Sequence, residues 1–362
     1  MSGLGRVVVT GAGGFIGGRV VEVLHALGVA EVRGVVRRWS TAARIGRLPV
    51  EIVQADLTDG AQAAAALSGA DAVVHCAVGD RRATVEGTRC VLTAALEGGV
   101  RQVVHLSTID VYGTATGEVT EDAPLVHTGA AYGDSKIEAE EACRSFQARG
   151  LPTTILRPTI VYGPFSGLWT LEFAERLQAG SWMLGQEDSA GTCNLVYVDD
   201  VVGAVLQALR HPGRGEAFNV NGPNRMTWFE YFRALNDAMG LPPLAAAPRA
   251  RVHILAAAMM PVRRTAKWLL RRFPGLVMGV YQRSALAKRL MRGAESAIRQ
   301  TPTPGEFRLY GRVVSFPTGK AARMLGYQPA FPSADGIDLS VRWLAHHGFL
   351  RHATASAAAP GG

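Results

Sequence analysis

Residues Arg6 to Leu24 read RVVVTGAGGFIGGRVVEVL, and no other stretch limits the fold as strongly. Val7-Val8-Val9-Thr10 is a run of β-branched residues, as found in a strand buried on both faces. It leads directly into four glycines among the seven positions from Gly11 to Gly17, and an amphipathic helical pattern follows. Glycine weakens the interior of a helix or strand, so a cluster at this junction marks a turn that side chains would obstruct. Gly11, Gly14 and Gly17 have G-x-x-G-x-x-G spacing. Gly11 permits the tight turn, Gly14 lets backbone approach a pyrophosphate, and Gly17 lets the helix pack closely on the sheet. Phe15 and Ile16 open that helix, whose N-terminal N–H groups and partial positive charge suit phosphate. An ordinary glycine-rich turn is the alternative; the strand before and the helix after favour a dinucleotide site.

Strands and helices alternate beyond this point. Strands are expected at 31–36, 50–56, 71–77, 101–107 and 152–158, with helices at 14–28, 59–68, 82–98 and 132–149. That alternation predicts an α/β fold: a doubly wound parallel (Rossmann) sheet with right-handed crossovers and a ligand crevice at the carboxyl ends of its strands. Residues 1–164 and 192–214 are assigned to the dinucleotide-binding domain. Residues 165–191 and 215–349 are assigned to a smaller C-terminal substrate lobe, and 350–362 to a disordered tail. In the lobe, 165–180 reads as a turn and helix, and Thr227 as an N-cap with Glu230 three residues on. The chain has 362 residues, 48% of them hydrophobic, which excludes a disordered protein and supports a large core. No apolar run is long enough to span a membrane. Four scattered cysteines without a C-x-x-C pair argue against a zinc site or disulfide framework and fit the cytoplasm; no metal is expected.

Strand two ends in Val36-Arg37-Arg38, where an acid would bind the ribose hydroxyls of NAD. Guanidinium groups there suit a 2′-phosphate, so NADP is favoured over NAD. Asp56 and Leu57, after strand three, are expected near the adenine. The chemistry is expected further on, in LSTIDVYG (106–113) and AAYGDSKIEAE (130–140). Tyr132 and Lys136 are four apart on a helix and share one face. A nearby ammonium would lower the tyrosine pKa, allowing the phenol to exchange a proton with a substrate hydroxyl as hydride moves.

With TGAGGFIG (10–17), DLTD (56–59), STIDVYG, YGDSK (132–136), RPTIVYGP (157–164), VYVDDVVGAV (196–205) and LGYQP (325–329), the chain resembles the extended short-chain dehydrogenases/reductases, including the NAD-dependent epimerase/dehydratase group. The resemblance implies a Thr108–Tyr132–Lys136 triad: Tyr132 as acid/base, Thr108 holding the substrate oxygen, and Lys136 binding the nicotinamide ribose and tuning Tyr132. It implies that Pro158, Thr159 and Val161 wall the nicotinamide, and that Cys76, Ala77 and Val78 lie along the cofactor. It also implies a homodimer through helices 82–98 and 132–149, and a substrate between the lobes. Family sugar dehydratases carry Thr-Asp-Glu where this chain has Thr108, Ile109 and Asp110, which argues against dehydration. Cys193 and Tyr197 replace an arginine and a histidine common in nucleotide-sugar enzymes. STID and NLVYVDD look closer to the 3β-hydroxysteroid dehydrogenase branch, and VRGVVRR to dihydroflavonol-type reductases. A net oxidoreductase on a sugar-like or polycyclic alcohol, a redox-neutral epimerase, and a non-catalytic dinucleotide sensor or scaffold are the readings to compare.

Residues 249–299 carry twelve Lys/Arg and a single acid, Glu295, a local balance of +11 against +8 for the whole chain. Large apolar residues are interleaved. A solvated lobe face, a membrane-surface element and a funnel for an anionic or carrier-bound substrate all fit this pattern; nucleic acid fits least.

Overall fold

A seven-stranded parallel sheet organises the chain in the computed structural model, which describes residues 3–180, 186–211, 215–244, 248–273, 275 and 301–350. The first half alternates as expected: β1 (Arg6–Thr10), α1 (Phe15–Leu27), β2 (Glu31–Val36), β3 (Glu51–Gln54), α2 (Gly60–Leu67), β4 (Ala72–His75), α3 (Arg81–Glu97) and β5 (Gln102–Leu106). A two-residue β6 (Gly117–Glu118) precedes α4 (Ala131–Ala148), β7 (Thr153–Pro158) and β8 (Ile160–Tyr162). Then come α5 (Glu172–Gln178), β9 (Thr192–Cys193), β10 (Leu195–Tyr197), α6 (Val198–Arg210), β11 (Glu216–Val220), β12 (Met226–Thr227), α7 (Trp228–Ala238) and α8 (Arg249–Arg272). Helices Pro304–Gly311, Gly319–Leu325 and Ser333–His346 follow, with β13 (Val314–Ser315) among them.

The sheet order is β11-β7-β5-β4-β1-β2-β3. The order in which strands are added reverses at β1, so the crevice between the carboxyl ends of β1 and β4 is the switch point at which such sheets bind ligands. Val8 sits beside Arg33 on one flank and Val73 on the other. Val7, Val8, Val9, Val73, Val74, Val104 and Ile155 are fully buried, each contributing about 1.5–3 kcal/mol relative to an exposed position. Contacts of α2 with α3 and of α3 with α4 build one helical layer, and α1 with α6 builds the other. Arg19 on α1 joins Asp199 on α6 at 2.5 Å.

Two sequence expectations change. Strand three is shorter than 50–56, because the chain turns at Asp56, whose carboxylate accepts the Thr58 N–H at 3.0 Å. Residues 216–220, expected in the lobe, form β11, which pairs with β7 with Phe218 beside Leu156. This strand completes the backbone hydrogen bonding of β7, which would otherwise be a sheet edge.

The chain divides into two compact units. One comprises 1–162, 194–224 and 314–333 and holds the sheet; the other comprises 163–193, 225–313 and 334–362. The second unit has an aromatic core, with Trp228 against Tyr310 at 4.7 Å and Phe173 against Phe232 at 5.3 Å. A turn of wider helix, Gly167–Leu171, leads into α5. Thr227 caps α7 and Glu230 returns the bond, the expected capping box. The cationic stretch 276–300 and the tail 351–362 lie outside the described residues.

Candidate active site

Gly11 has φ +66°, in the left-handed region, and a Cβ there would lie 2.8 Å from the Ala77 nitrogen. A Cβ on Gly17 would meet the Gly11 carbonyl oxygen. The turn can therefore close only without side chains, and the space left is a cradle. Gly14 caps α1 with no side-chain hydrogen bond, leaving the first-turn N–H groups without that partner. A cavity of about 250 Å³ opens here, lined by Gly11, Gly13 and Gly14, by Val36, Arg37 and Arg38 beyond β2, by Asp56 and Leu57, and by Cys76, Ala77 and Val78 beyond β4. Phe15, Ile16 and Gly17 stand behind that lining in the first turn of α1. A bare helix N-terminus at a glycine cradle beside two guanidinium groups is a donor set that fits a dinucleotide phosphate.

The cradle has a buried support that sequence reasoning missed. Thr10 Oγ1 lies 2.7 Å from His75 Nδ1, and His75 Nε2 lies 3.0 Å from Thr88 Oγ1. Thr88 donates its proton to the Thr84 carbonyl at 2.6 Å. It therefore accepts from Nε2–H, and Nδ1 accepts from Thr10. Burial, then the charge of Lys136, holds the His75 pKa down at about 3, so this neutral tautomer persists. Thr10 also accepts the Ala77 N–H at 3.4 Å, tying the end of β1 to the loop facing Gly11. The only signal in the sequence was a histidine in an otherwise apolar strand.

Thr108 ends the β5 segment and caps a tight turn over Ile109–Tyr112, accepting the Asp110 N–H at 3.2 Å. Tyr132 lies in the first turn of α4 and is 46% exposed; Lys136, one turn on, is 3% exposed. The Thr108 side chain lies near enough to Tyr132 to favour its phenolate. The structure does not turn Lys136 toward lowering the phenol pKa. Burial and the negative charge of Asp110 raise the Tyr132 pKa, and Thr108 opposes them only in part. Lys136 Nζ instead donates to the Leu106 carbonyl at 2.6 Å. Burial lowers the Lys136 pKa to about 8. Tyr132 thus holds its proton at neutral pH, where Lys136 was expected to draw its pKa down. Pro158, Thr159 and Val161 are buried where β7 passes into β8, outside the cradle lining, with Thr159 Oγ1 donating to Asn221 at 2.9 Å.

Behind Thr108 and Lys136 lies a second buried network. Glu140, one turn past Lys136, accepts from Ser107 Oγ at 2.6 Å and from Arg157 Nε and NH2 at 2.9 and 2.6 Å. Arg157 NH1 donates to the Tyr112 hydroxyl, which donates to Asn219 on β11; both bonds are 2.7 Å. Burial works against the Arg157 charge, and its bonds to Glu140 outweigh that and raise its pKa. Ser107 adjoins Thr108, so the network fixes the end of β5 against α4.

A model of the NAD-dependent epimerase/dehydratase family matches residues 7–221. The chain belongs to this family. It is an extended short-chain dehydrogenase/reductase, and its relatives include dehydrogenases, epimerases and dehydratases, so it is an enzyme of that class. The 3beta-hydroxysteroid-dehydrogenase/decarboxylase isoform 2 of Arabidopsis thaliana is 25% identical over 84% of this chain and 53% of its own length. The chain thus spans about half of that relative. A 4-hydroxy-2-methyl-3-oxo-4-farnesyl-3,4-dihydroquinoline-1-oxide ketoreductase of Stigmatella aurantiaca is 26% identical over 92% of this chain and 95% of its own. A dTDP-glucose 4,6-dehydratase from Streptomyces venezuelae, solved with NAD and TYD, shares the fold with a TM-score of 0.70. Its identity is 24%, over 94% of this chain and 97% of that one. Within this family reading, no helix among the described residues is long and apolar enough to cross a membrane.

Proposed function

We propose that this family member interconverts a secondary alcohol and a ketone, with Tyr132 as the acid/base group. The observation that carries the reading is the half-exposed Tyr132 in the first turn of α4, beside the Thr108 side chain and one helical turn before the buried Lys136. The dinucleotide, when bound, supplies or accepts hydride. Gly11, Gly14 and the first turn of α1 with Phe15, Ile16 and Gly17 hold its phosphates. Asp56, Leu57 and Val78 face its adenosine end, Cys76 and Ala77 run along it, and Pro158, Thr159 and Val161 wall its nicotinamide. Tyr132 carries its proton at neutral pH and can donate it to a carbonyl oxygen that gains hydride. Thr108 orients that oxygen. Lys136, on the same face of α4, would hold the nicotinamide ribose.

Ile109 stands beside Asp110, so the paired carboxylates suited to eliminating water are missing from this turn. Tyr197 is buried against Phe331 at 4.7 Å, and its ring serves the core. Both features favour redox chemistry on a polycyclic or prenylated alcohol over work on a nucleotide sugar. The names of the Arabidopsis and Stigmatella relatives support the same substrate class. Arg37 and Arg38 at the cavity support NADP as the preferred cofactor.

The test is Tyr132→Phe assayed with NADPH and a panel of cyclic ketones. Turnover is expected to fall about 10²–10⁴-fold, with dinucleotide affinity changed less than about twofold. Undiminished turnover would remove Tyr132 from the chemistry. Denaturing freshly purified protein and identifying any released dinucleotide separates the alternative: stoichiometric retained NAD would indicate a redox-neutral epimerase.

A further inference from the structure

The helix α8 (Arg249–Arg272) carries Lys or Arg at both ends, at 249, 251, 263, 264, 267, 271 and 272, and has no acidic residue. Its inner face is accounted for. Val252 and Ala256 are buried, and Arg263 donates to the Thr301 and Pro302 carbonyls. Arg249 and His253 share Asp188, at 2.9 and 3.1 Å. The opposite face has no such partners. At 100° per residue Ile254, Val262, Trp268 and Leu269 fall within a stripe about 120° wide, on the side away from Val252, Ala256 and Arg263. Ile254, Val262 and Leu269 are 68%, 40% and 41% exposed, and Trp268 is 59% exposed. Arg251 and Arg272 lie within this stripe and Arg264 beside it, and none of the three has an ion pair among the described residues.

A solvated face would be polar, since exposing four large apolar side chains on one side of a helix is unfavourable. A spanning helix is excluded by the cations. A nucleic-acid surface explains the arginines but leaves the aliphatic stripe without a role. We propose that the outer face of α8 docks in the plane of an anionic lipid surface. Ile254, Val262, Trp268 and Leu269 enter the acyl boundary, and Arg251, Arg264 and Arg272 meet phosphate headgroups. Tryptophan favours that boundary because its ring is apolar with one polar edge. Cations beside an apolar stripe are the charge pattern that binds negatively charged leaflets. This inference stands apart from the chemistry assigned to Tyr132.

The experiment uses the full chain in co-sedimentation with phosphatidylcholine vesicles, with and without a substantial fraction of phosphatidylglycerol. Wild-type protein is expected to partition at least about tenfold more strongly onto the anionic vesicles at physiological salt. The triple variant Ile254→Gln, Trp268→Gln, Leu269→Gln should lose most of that binding, with its melting midpoint unchanged because these side chains face solvent. Trp268→Gln alone serves if the triple variant fails to fold, and should weaken binding about threefold or more. Arg251→Gln with Arg264→Gln and Arg272→Gln should abolish the preference for anionic lipid. Equal partitioning of the wild type onto both vesicles overturns the proposal. So does anionic binding that the apolar variants leave intact, or duplex DNA binding with vesicles ignored.

Discussion

Replacing Lys136 with methionine should stabilise the fold at neutral pH while removing the cation that the proposed chemistry uses. The lysine is 3% exposed, and burial lowers its pKa from 10.5 to about 8. A folded pKa below the unfolded one means that the folded chain holds this proton less well. Each pKa unit corresponds to about 1.4 kcal/mol, so at pH 7 the buried ammonium costs roughly 3 kcal/mol of stability. Methionine fills much of the same space without charge. It leaves the Leu106 carbonyl, now bonded to Nζ at 2.6 Å, without that donor. That loss costs about 1–2 kcal/mol, so the net gain at pH 7 is about 1–2 kcal/mol. The pH dependence discriminates more sharply. The wild-type penalty is full below the folded pKa of about 8 and fades as pH rises toward the unfolded value of 10.5. Measured by urea denaturation, the variant's stability advantage should shrink by about 2 kcal/mol between pH 7 and pH 10. A gap that stays constant over that range would refute the claim that Lys136 is held charged in a site that disfavours charge.

Gly11→Ala forces a side chain into a left-handed turn and against Ala77, so dinucleotide affinity should fall at least about tenfold by fluorescence titration, with stability lowered by about 1–2 kcal/mol. Glu140→Gln leaves the buried Arg157 without its counter-charge. Urea denaturation should show a loss of about 3–5 kcal/mol, partly recovered when Arg157→Met is added. Arg37→Ala with Arg38→Ala should weaken NADPH at least about tenfold while NADH changes little; equal losses would show that neither guanidinium reads the 2′-phosphate.

The sheet was legible because a parallel strand buried on both faces must be apolar, and 7–9, 72–74 and 103–104 read that way. The cradle was legible because only glycine tolerates the Gly11 turn. What stayed hidden depends on long-range partners. Periodicity shows that 216–220 is a strand but not that it returns to β7, since edge pairing leaves no local pattern. The direction of the Tyr132 shift was misread because helical spacing places Lys136 on the same face without saying where its Nζ points. Burial first, and then the charge of Asp110 from a separate turn, sets that environment. Arg157 in a core strand and Glu140 on the buried side of α4 were anomalies visible in the sequence. A charge where the pattern calls for an apolar residue signals a partner elsewhere.

The bonded group of Ser107, Tyr112, Glu140, Arg157 and Asn219 gathers side chains from separate stretches of the chain, the last of them on β11. Until residue 219 arrives, Tyr112 lacks its acceptor and β7, paired only with β5, lacks its second neighbour. A chain emerging from the ribosome would therefore carry a nearly finished but open sheet while the intervening residues, including α5 and α6, are still being made. Closure would come late and in one step, making the region around Asn219 a natural place for chaperone engagement and for truncations to prevent folding.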